Sequence, residues 1–176
     1  MKVDENEVRR RLGHFEAVVR AAGVRLTHQR LEVFREVAGS LDHPDAEAVF
    51  RAVRKRLRTV SLDTVYRTLR LLEDLGVLGT LGPRRESMRF DANLASHHHY
   101  VCLRCGLVRD FESADMSALP IPAEVREVGE VHGTFVEVRG FCRACEGKRQ
   151  EESTAKHQKR PKGQERRRTW RRRSGS

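Results

Sequence analysis

The chain has 176 residues, 38% hydrophobic and 34% charged, enough for one ordinary domain or two small ones with a modest core. No apolar run nears the roughly eighteen residues of a membrane helix. The opening MKVDENEVRRRLGHF lacks the apolar stretch of a signal peptide, so a cytoplasmic protein without membrane contact is expected.

The elements follow in chain order. Val8, Leu12, Phe15, Val18 and Ala22 recur at helical spacing, and Gly23 ends that helix. Leu31, Phe34 and Val37 mark a second helix that closes near Gly39. After His43-Pro44-Asp45, a third places Ala46, Val49, Val53 and Leu57 on one face. Pro44 is tolerated near a helix start, where its missing N–H would have no partner anyway.

The fourth helix, SLDTVYRTLRLLEDLG, carries more information. Ser61 is a good N-cap, Leu62, Val65, Leu69 and Leu72 make one buried stripe, and Gly76 stops it. The opposite face offers Asp63, Thr64, Arg67 and Arg70, with Tyr66 at its edge. VLGTL, a turn at 82–85 and SMRFD predict a two-stranded hairpin. Helices, a polar-faced helix and a hairpin together predict a winged helix-turn-helix. Thr64, Tyr66, Arg67 and Arg70 would then reach a major groove, and Arg84 and Arg85 at the wing tip would touch backbone or minor groove. The alternative is a small helical bundle with a solvated face.

After Asp91 the chain turns to short β-rich segments, YVCLRCG, LVRDF and TFVEVRGFC, with a short helix in 115–127 broken by Pro120 and Pro122. The expected class is therefore α+β. The winged helix-turn-helix occupies 1–91, a hinge 92–96, a second small α/β domain 97–146, and a tail 147–176. The net charge of +10 lies mostly in that tail, with 12 Lys/Arg against 3 Glu; residues 1–146 hold 23 against 22. With almost no apolar content the tail is expected to be disordered, and its charge suits contact with nucleic acid or simple solvation.

Every cysteine belongs to a Cys-x-x-Cys pair, Cys102/Cys105 and Cys142/Cys145, with 36 residues between the pairs. Two such turns complete a closed, non-catalytic tetrahedral zinc site. Thiol redox chemistry or buried thiols without a metal are the alternatives. The preceding His97-His98-His99 is a separate matter. On a strand, His97 and His99 share a side while His98 faces away. Asp91 and Asp110 lie close in sequence on either side. Mixed imidazole and carboxylate ligands suit Fe(II), Mn(II) or Zn(II), and the competing reading is a solvated histidine cluster.

GVRLTHQR (23–30), His43-Pro44, TVYRTLRLLEDLG (64–76), RFD (89–91), HHHYVCLRCG (97–106) and GFCRAC (140–145) together resemble the ferric uptake regulator superfamily, in consecutive order over about residues 10–146. The resemblance implies a homodimeric, metal-dependent repressor that binds double-stranded operator DNA, with the 97–146 domain as the dimerisation domain. It adds His43 to the regulatory site, completing His43, Asp91, His97, His99 and Asp110 around Fe2+ or Mn2+, with Zn2+ on the cysteines. Iron-uptake members carry glutamates where this chain has Asp91 and Asp110, and the aspartate pair matches the peroxide-sensing branch. Arg67 after Tyr66 points the other way, since some peroxide regulators have Asn there.

Some members hold a further metal with the middle histidine and a later one on a strand. Thr134 stands at that later place here and His132 is two residues off, so no third site is expected. His14 and His28 are read as structural or surface residues.

The leading reading is a repressor inactivated when peroxide oxidises His43 or His97 beside bound iron. An iron-uptake repressor sensing occupancy alone is the alternative. A His/Asp metalloenzyme is disfavoured, because no substrate pocket or dedicated general base is evident and the first half of the chain would be idle.

Overall fold

The N-terminal helices begin where a short polar side chain can cover an open backbone N–H. In this computed structural model, which describes residues 2–82, 88–131 and 133–147, Asp4 accepts from the N–H groups of Asn6 and Glu7 to start α1 (Glu5–Ala21). Thr27 caps α2 (His28–Ala38) through the Arg30 N–H, and Asp45 caps α3 (Ala46–Arg54) through the Ala48 N–H at 2.7 Å. Ser61 caps α4 (Leu62–Asp74) through the Thr64 N–H at 3.1 Å. Gly76, at φ 68°, follows the last turn of α4 in a conformation that a Cβ would disfavour.

The four helices and the following hairpin enclose one apolar core. Phe15 and Phe34 stack with ring centroids 4.4 Å apart, and Val33, Val37, Val49, Val53, Val65, Leu69 and Leu72 close around them. Each such side chain contributes roughly 1.5–3 kcal/mol when fully buried. The apolar face of α1 centres on the fully buried Phe15 and Val19, with the expected Leu12 and Val18 packed partly buried beside them. Phe15 stacks on Phe34, and the i+4 neighbour continues that face as well as the i+3 neighbour does. Glu32 is also buried, and Arg35 and Arg56 satisfy its carboxylate, Arg56 at 2.8 Å.

The hairpin pairs β1 (Gly79–Leu81) with β2 (Arg89–Asp91), Thr80 opposite Phe90. Phe90 enters the helical core, and Asp91 turns the other way. The free side of β2 meets the loop before α3, where the Phe90 N–H donates to Pro44 O at 3.1 Å and Asp45 bridges to Arg89.

A second sheet has the order β4–β3–β5, formed by β3 (His98–Cys102), β4 (Val108–Phe111) and β5 (Glu137–Gly140). β3 runs antiparallel to β4 and parallel to β5. Between β4 and β5 lie two short helices, α5 (Ala114–Ser117) and α6 (Ala123–Val128), rather than the one expected. Pro120 and Pro122 stand between them and cannot continue a helix.

The chain divides into two units, residues 1–140, which hold every element above, and residues 141–176. Of the second, residues 141–147 are described, and there the Cys145 N–H donates to Cys142 O at 2.8 Å, opening a helical turn. Residues 148–176 of the expected tail, and Arg84 and Arg85, expected at a wing tip, lie outside the described residues. Among the described residues no helix is long and apolar enough to cross a membrane.

Candidate metal centre

Five side chains from three parts of the first unit converge on one point. His43 comes from the loop between α2 and α3, with its backbone at φ 47°. Asp91 ends β2. His97 stands just before β3 and His99 lies within it, so the two point to the same side. Asp110 on β4 is the register partner of His99. His43 Nε2 lies 2.9 Å from Asp110 Oδ1 and 3.3 Å from Asp91 Oδ2. His97 Nε2 lies 2.8 Å from Asp91 Oδ2 and 2.9 Å from His99 Nε2. One ligand atom from each residue falls within 4.8 Å of all the others.

These spacings fit a metal. Ligand atoms about 2.1 Å from an ion and at right angles to one another lie roughly 3 Å apart, and opposite ones about 4 Å. The partnering fits as well. His43 Nε2 and Asp110 Oδ1 are buried and close, yet neither makes a hydrogen bond with acceptable geometry among the described residues. Three imidazoles and two carboxylates form a donor set for Fe(II), Mn(II) or Zn(II), not for a thiophilic ion.

The electrostatics agree. Burial alone would push His43 down, but Asp110 and Asp91 outweigh it and raise the imidazole to about 9. Burial would raise Asp91. The neighbouring imidazoles of His43, His97 and His99, together with the Asn93 N–H, instead hold it far below the usual carboxylate range. Asp91 in turn raises His97, against the opposing effect of burial. The two carboxylates thus favour positive charge in the space between them and the imidazoles. A cleft of about 710 Å³, lined by Gly79, Asp91, Asn93, His97, His99 and Phe135 among others, opens onto the histidine side.

His98 points away from this centre, as strand alternation predicts, but it is not idle. It is 1% exposed. Its Nδ1 accepts from the Val136 N–H at 3.2 Å, which leaves Nε2 as the donor toward Ser113 O at 3.3 Å and Ser117 Oγ at 3.2 Å. The ring ties β3 to the approaches of α5 and β5. Thr134 is exposed, and His132 lies outside the described residues. His14 and His28 are on the surface, as expected.

The first cysteine pair belongs to the β3–β4 turn. Cys102 is buried, and the Gly106 N–H donates to Cys102 O at 2.9 Å. β5 ends beside this pair, with Gly140 the register partner of Cys102 and its carbonyl accepting from the Leu103 N–H at 2.8 Å.

On α4, Tyr66, Arg67 and Arg70 are exposed and Thr64 is half-buried. Arg67 pairs with Asp63 at 3.0 Å. A smaller polar cleft joins this face to the start of α2 through Thr27, Gln29, Arg30, Asp63, Thr64 and Arg67. Sequence reasoning assigned no role to Gln29 and Arg30. Only their place in the quoted GVRLTHQR stretch drew notice to them.

It also passed over three residues around the His43 loop. Arg109 reaches Asp42, and Arg89 reaches the carbonyls of Asp42 and His43. Partners 46 and 67 positions apart leave no periodic signal.

The family model for the ferric uptake regulator family matches residues 21–132. The chain belongs to the ferric uptake regulator family. Among relatives of this family, the peroxide-responsive repressor PerR of Staphylococcus aureus is 30% identical over 148 residues, covering 84% of this chain and all of that protein. The solved ferric uptake regulator of Helicobacter pylori shares the family fold at a TM-score of 0.63, with 20% identity over 83% of this chain and 97% of that one. A zinc-bound manganese uptake regulator superposes at 0.57 with 29% identity, over 73% of this chain and 98% of its own.

Proposed function

We propose that this chain is a metal-dependent, DNA-binding transcriptional repressor that responds to hydrogen peroxide. The observation that carries the reading is the five-residue centre with an aspartate at both carboxylate positions, Asp91 and Asp110. The likeness to the peroxide-responsive repressor of Staphylococcus aureus supports it. His43, Asp91, His97, His99 and Asp110 would hold Fe2+ or Mn2+. When bound, Fe(II) supplies the one-electron chemistry that activates peroxide. By the family resemblance, His43 or His97 would receive the oxygen. Once modified, either ring would be a poorer ligand, and the metal would no longer link the His43 loop to β3 and β4 as strongly.

In this reading residues 1–91 form a winged helix-turn-helix that contacts operator DNA through Thr64, Tyr66, Arg67 and Arg70, with Arg84 and Arg85 at the wing. Residues 92–96 are the hinge. Ligands from both sides of it make the metal a differential stabiliser of one arrangement. Residues 97–146 pair two copies of the chain, and Leu119, Val125, Val128 and Val138, all exposed in the single chain, offer apolar surface for a second copy to cover. Cys102, Cys105, Cys142 and Cys145 hold structural Zn2+. Supporting this, β5 leaves the sheet beside the first pair, and Cys142 follows Gly140 by two positions. A regulator of this kind works in the cytoplasm, and no catalytic residues are assigned.

The test is operator binding by the Fe(II) and Mn(II) forms before and after peroxide. The Fe(II) form should release DNA and gain one oxygen atom on His43 or His97, while the Mn(II) form stays bound. If peroxide leaves the Fe(II) form bound and unmodified, the chain is an iron-occupancy repressor, the reading that Arg67 favours. Equal inactivation of both forms through loss of zinc would also overturn the proposal.

A further inference from the structure

His43 adopts a left-handed backbone, φ 47°, directly before Pro44. A residue with a Cβ is disfavoured there, and a following proline pushes its predecessor towards extended backbone. Such a conformation persists only where its surroundings over-determine it. Two arginines do so. Arg89 on β2 donates from one Nη to the carbonyls of both Asp42 and His43, each at 3.2 Å. Its other Nη lies close to Gly106, 2.9 Å from where a Cβ there would stand. Arg109 on β4 donates to Asp42 Oδ1 at 2.6 Å.

The placement follows a pattern. Arg109 directly precedes Asp110, and Arg89 stands two before Asp91. β4 thus grips the loop twice with consecutive residues, Arg109 on Asp42 and Asp110 on His43. β2 likewise holds the loop's backbone through Arg89 and the His43 ring through Asp91.

We propose that Arg89 and Arg109 are positioning residues for the metal centre: they seat the Asp42–His43 loop so that the His43 imidazole meets the other four ligands before a cation arrives. The proposal rests on the reading that those five residues bind a divalent metal. Preorganisation of this kind raises affinity by the fraction of molecules already competent to bind. The Asp42–Arg109 pair is exposed enough that its generic contribution to stability is small. An effect on metal affinity is therefore separable from an effect on folding.

The test is titration of Mn(II) into the full-length, zinc-replete chain. Arg109→Ala and Asp42→Ala should each weaken Mn(II) binding by about fivefold, the scale of one well-placed ion pair. Arg89→Lys, which keeps the charge but not the shared donation to two carbonyls, should do the same. At saturation each variant should give the wild-type Mn(II) EPR spectrum, because the five ligands are untouched. Exchanging the pair, Asp42→Arg with Arg109→Asp, should restore much of the affinity. If Arg109→Ala does not fold, Arg109→Lys is read in the same titration, with a smaller loss expected. Wild-type affinity in the folded variants overturns the proposal, and so does a lowered melting temperature with unchanged Mn(II) affinity. His99→Ala is the control for the underlying reading: if it binds Mn(II) as wild type does, the five-residue site itself is wrong, whatever the arginine variants show.

Discussion

His98 stands between two candidate ligands and has a different task. Alternation along the strand correctly turned it away from His97 and His99, but alternation says nothing about what waits on the other face. There it is sealed among Phe111, Ser113, Ser117 and Val136. His98→Ala leaves the Val136 N–H without its acceptor, and losing a buried partner costs about 1–3 kcal/mol. Urea unfolding should report that loss, while Mn(II) affinity of the folded variant stays near wild type. Asp110 is the opposite case, exposed enough to accept change but set directly on the metal centre. Asp110→Glu adds one methylene and should retain Mn(II)-dependent operator binding while slowing the loss of binding after peroxide in the Fe(II) form. A wild-type peroxide rate in that variant would remove the aspartate pair as the basis for peroxide sensing. His43 was illegible from spacing alone. It reaches the site across more than forty residues, through a left-handed loop that no periodicity encodes, and only the family resemblance supplied it.

Among the elements, the helices were the most legible part, because each carries a cap, a stripe and a stop that act locally. Ser61 illustrates this. Its hydroxyl covers the Thr64 N–H and also meets the Thr64 hydroxyl at 2.8 Å. Ser61→Ala should cost about 1 kcal/mol of stability, read by thermal melting, and should also loosen the first turn of α4, which presents Thr64. Arg67→Ala on the same helix should leave melting unchanged and cost about 1–3 kcal/mol of discrimination between operator and random DNA. Equal weakening on both DNAs would make Arg67 a phosphate contact instead. What the helical pattern could not reveal is which helix ends adjoin. The start of α2 lies against the start of α4, with Gln29 and Arg30 beside Arg67. That juxtaposition is a consequence of the shared core, to which α2 gives Val33 and Phe34 and α4 gives Val65 and Leu69, and not of any local signal.

At the scale of the whole molecule, most of the net positive charge lies in the 147–176 tail. Deleting it should weaken operator and random DNA alike and flatten the salt dependence, since each phosphate neutralised adds about 0.9 to the log–log slope. An unchanged slope would mean that the tail does not touch DNA. Cys142→Ser should lose bound zinc and impair the dimer, because thiolate zinc sites supply much of a small domain's folding free energy. Retention of both zinc and dimer would exclude the four-cysteine site. The class of fold was legible because helical and β-rich texture change at one place in the chain. The order β4–β3–β5 was not, since short strands carry too few residues to specify their neighbours.

The parallel pairing of β3 with β5 sets a timetable. Antiparallel β4 can fold back on β3 across a tight turn, but β5 must return from more than thirty residues downstream. Non-local pairing of this sort forms late. A chain leaving the ribosome N-terminus first has its first four helices and its hairpin synthesised by Asp91. The chain thus makes His43 and Asp91 well before the sheet that brings His97, His99 and Asp110 to them, and a nascent chain would carry two fifths of the candidate centre with nothing yet to close it.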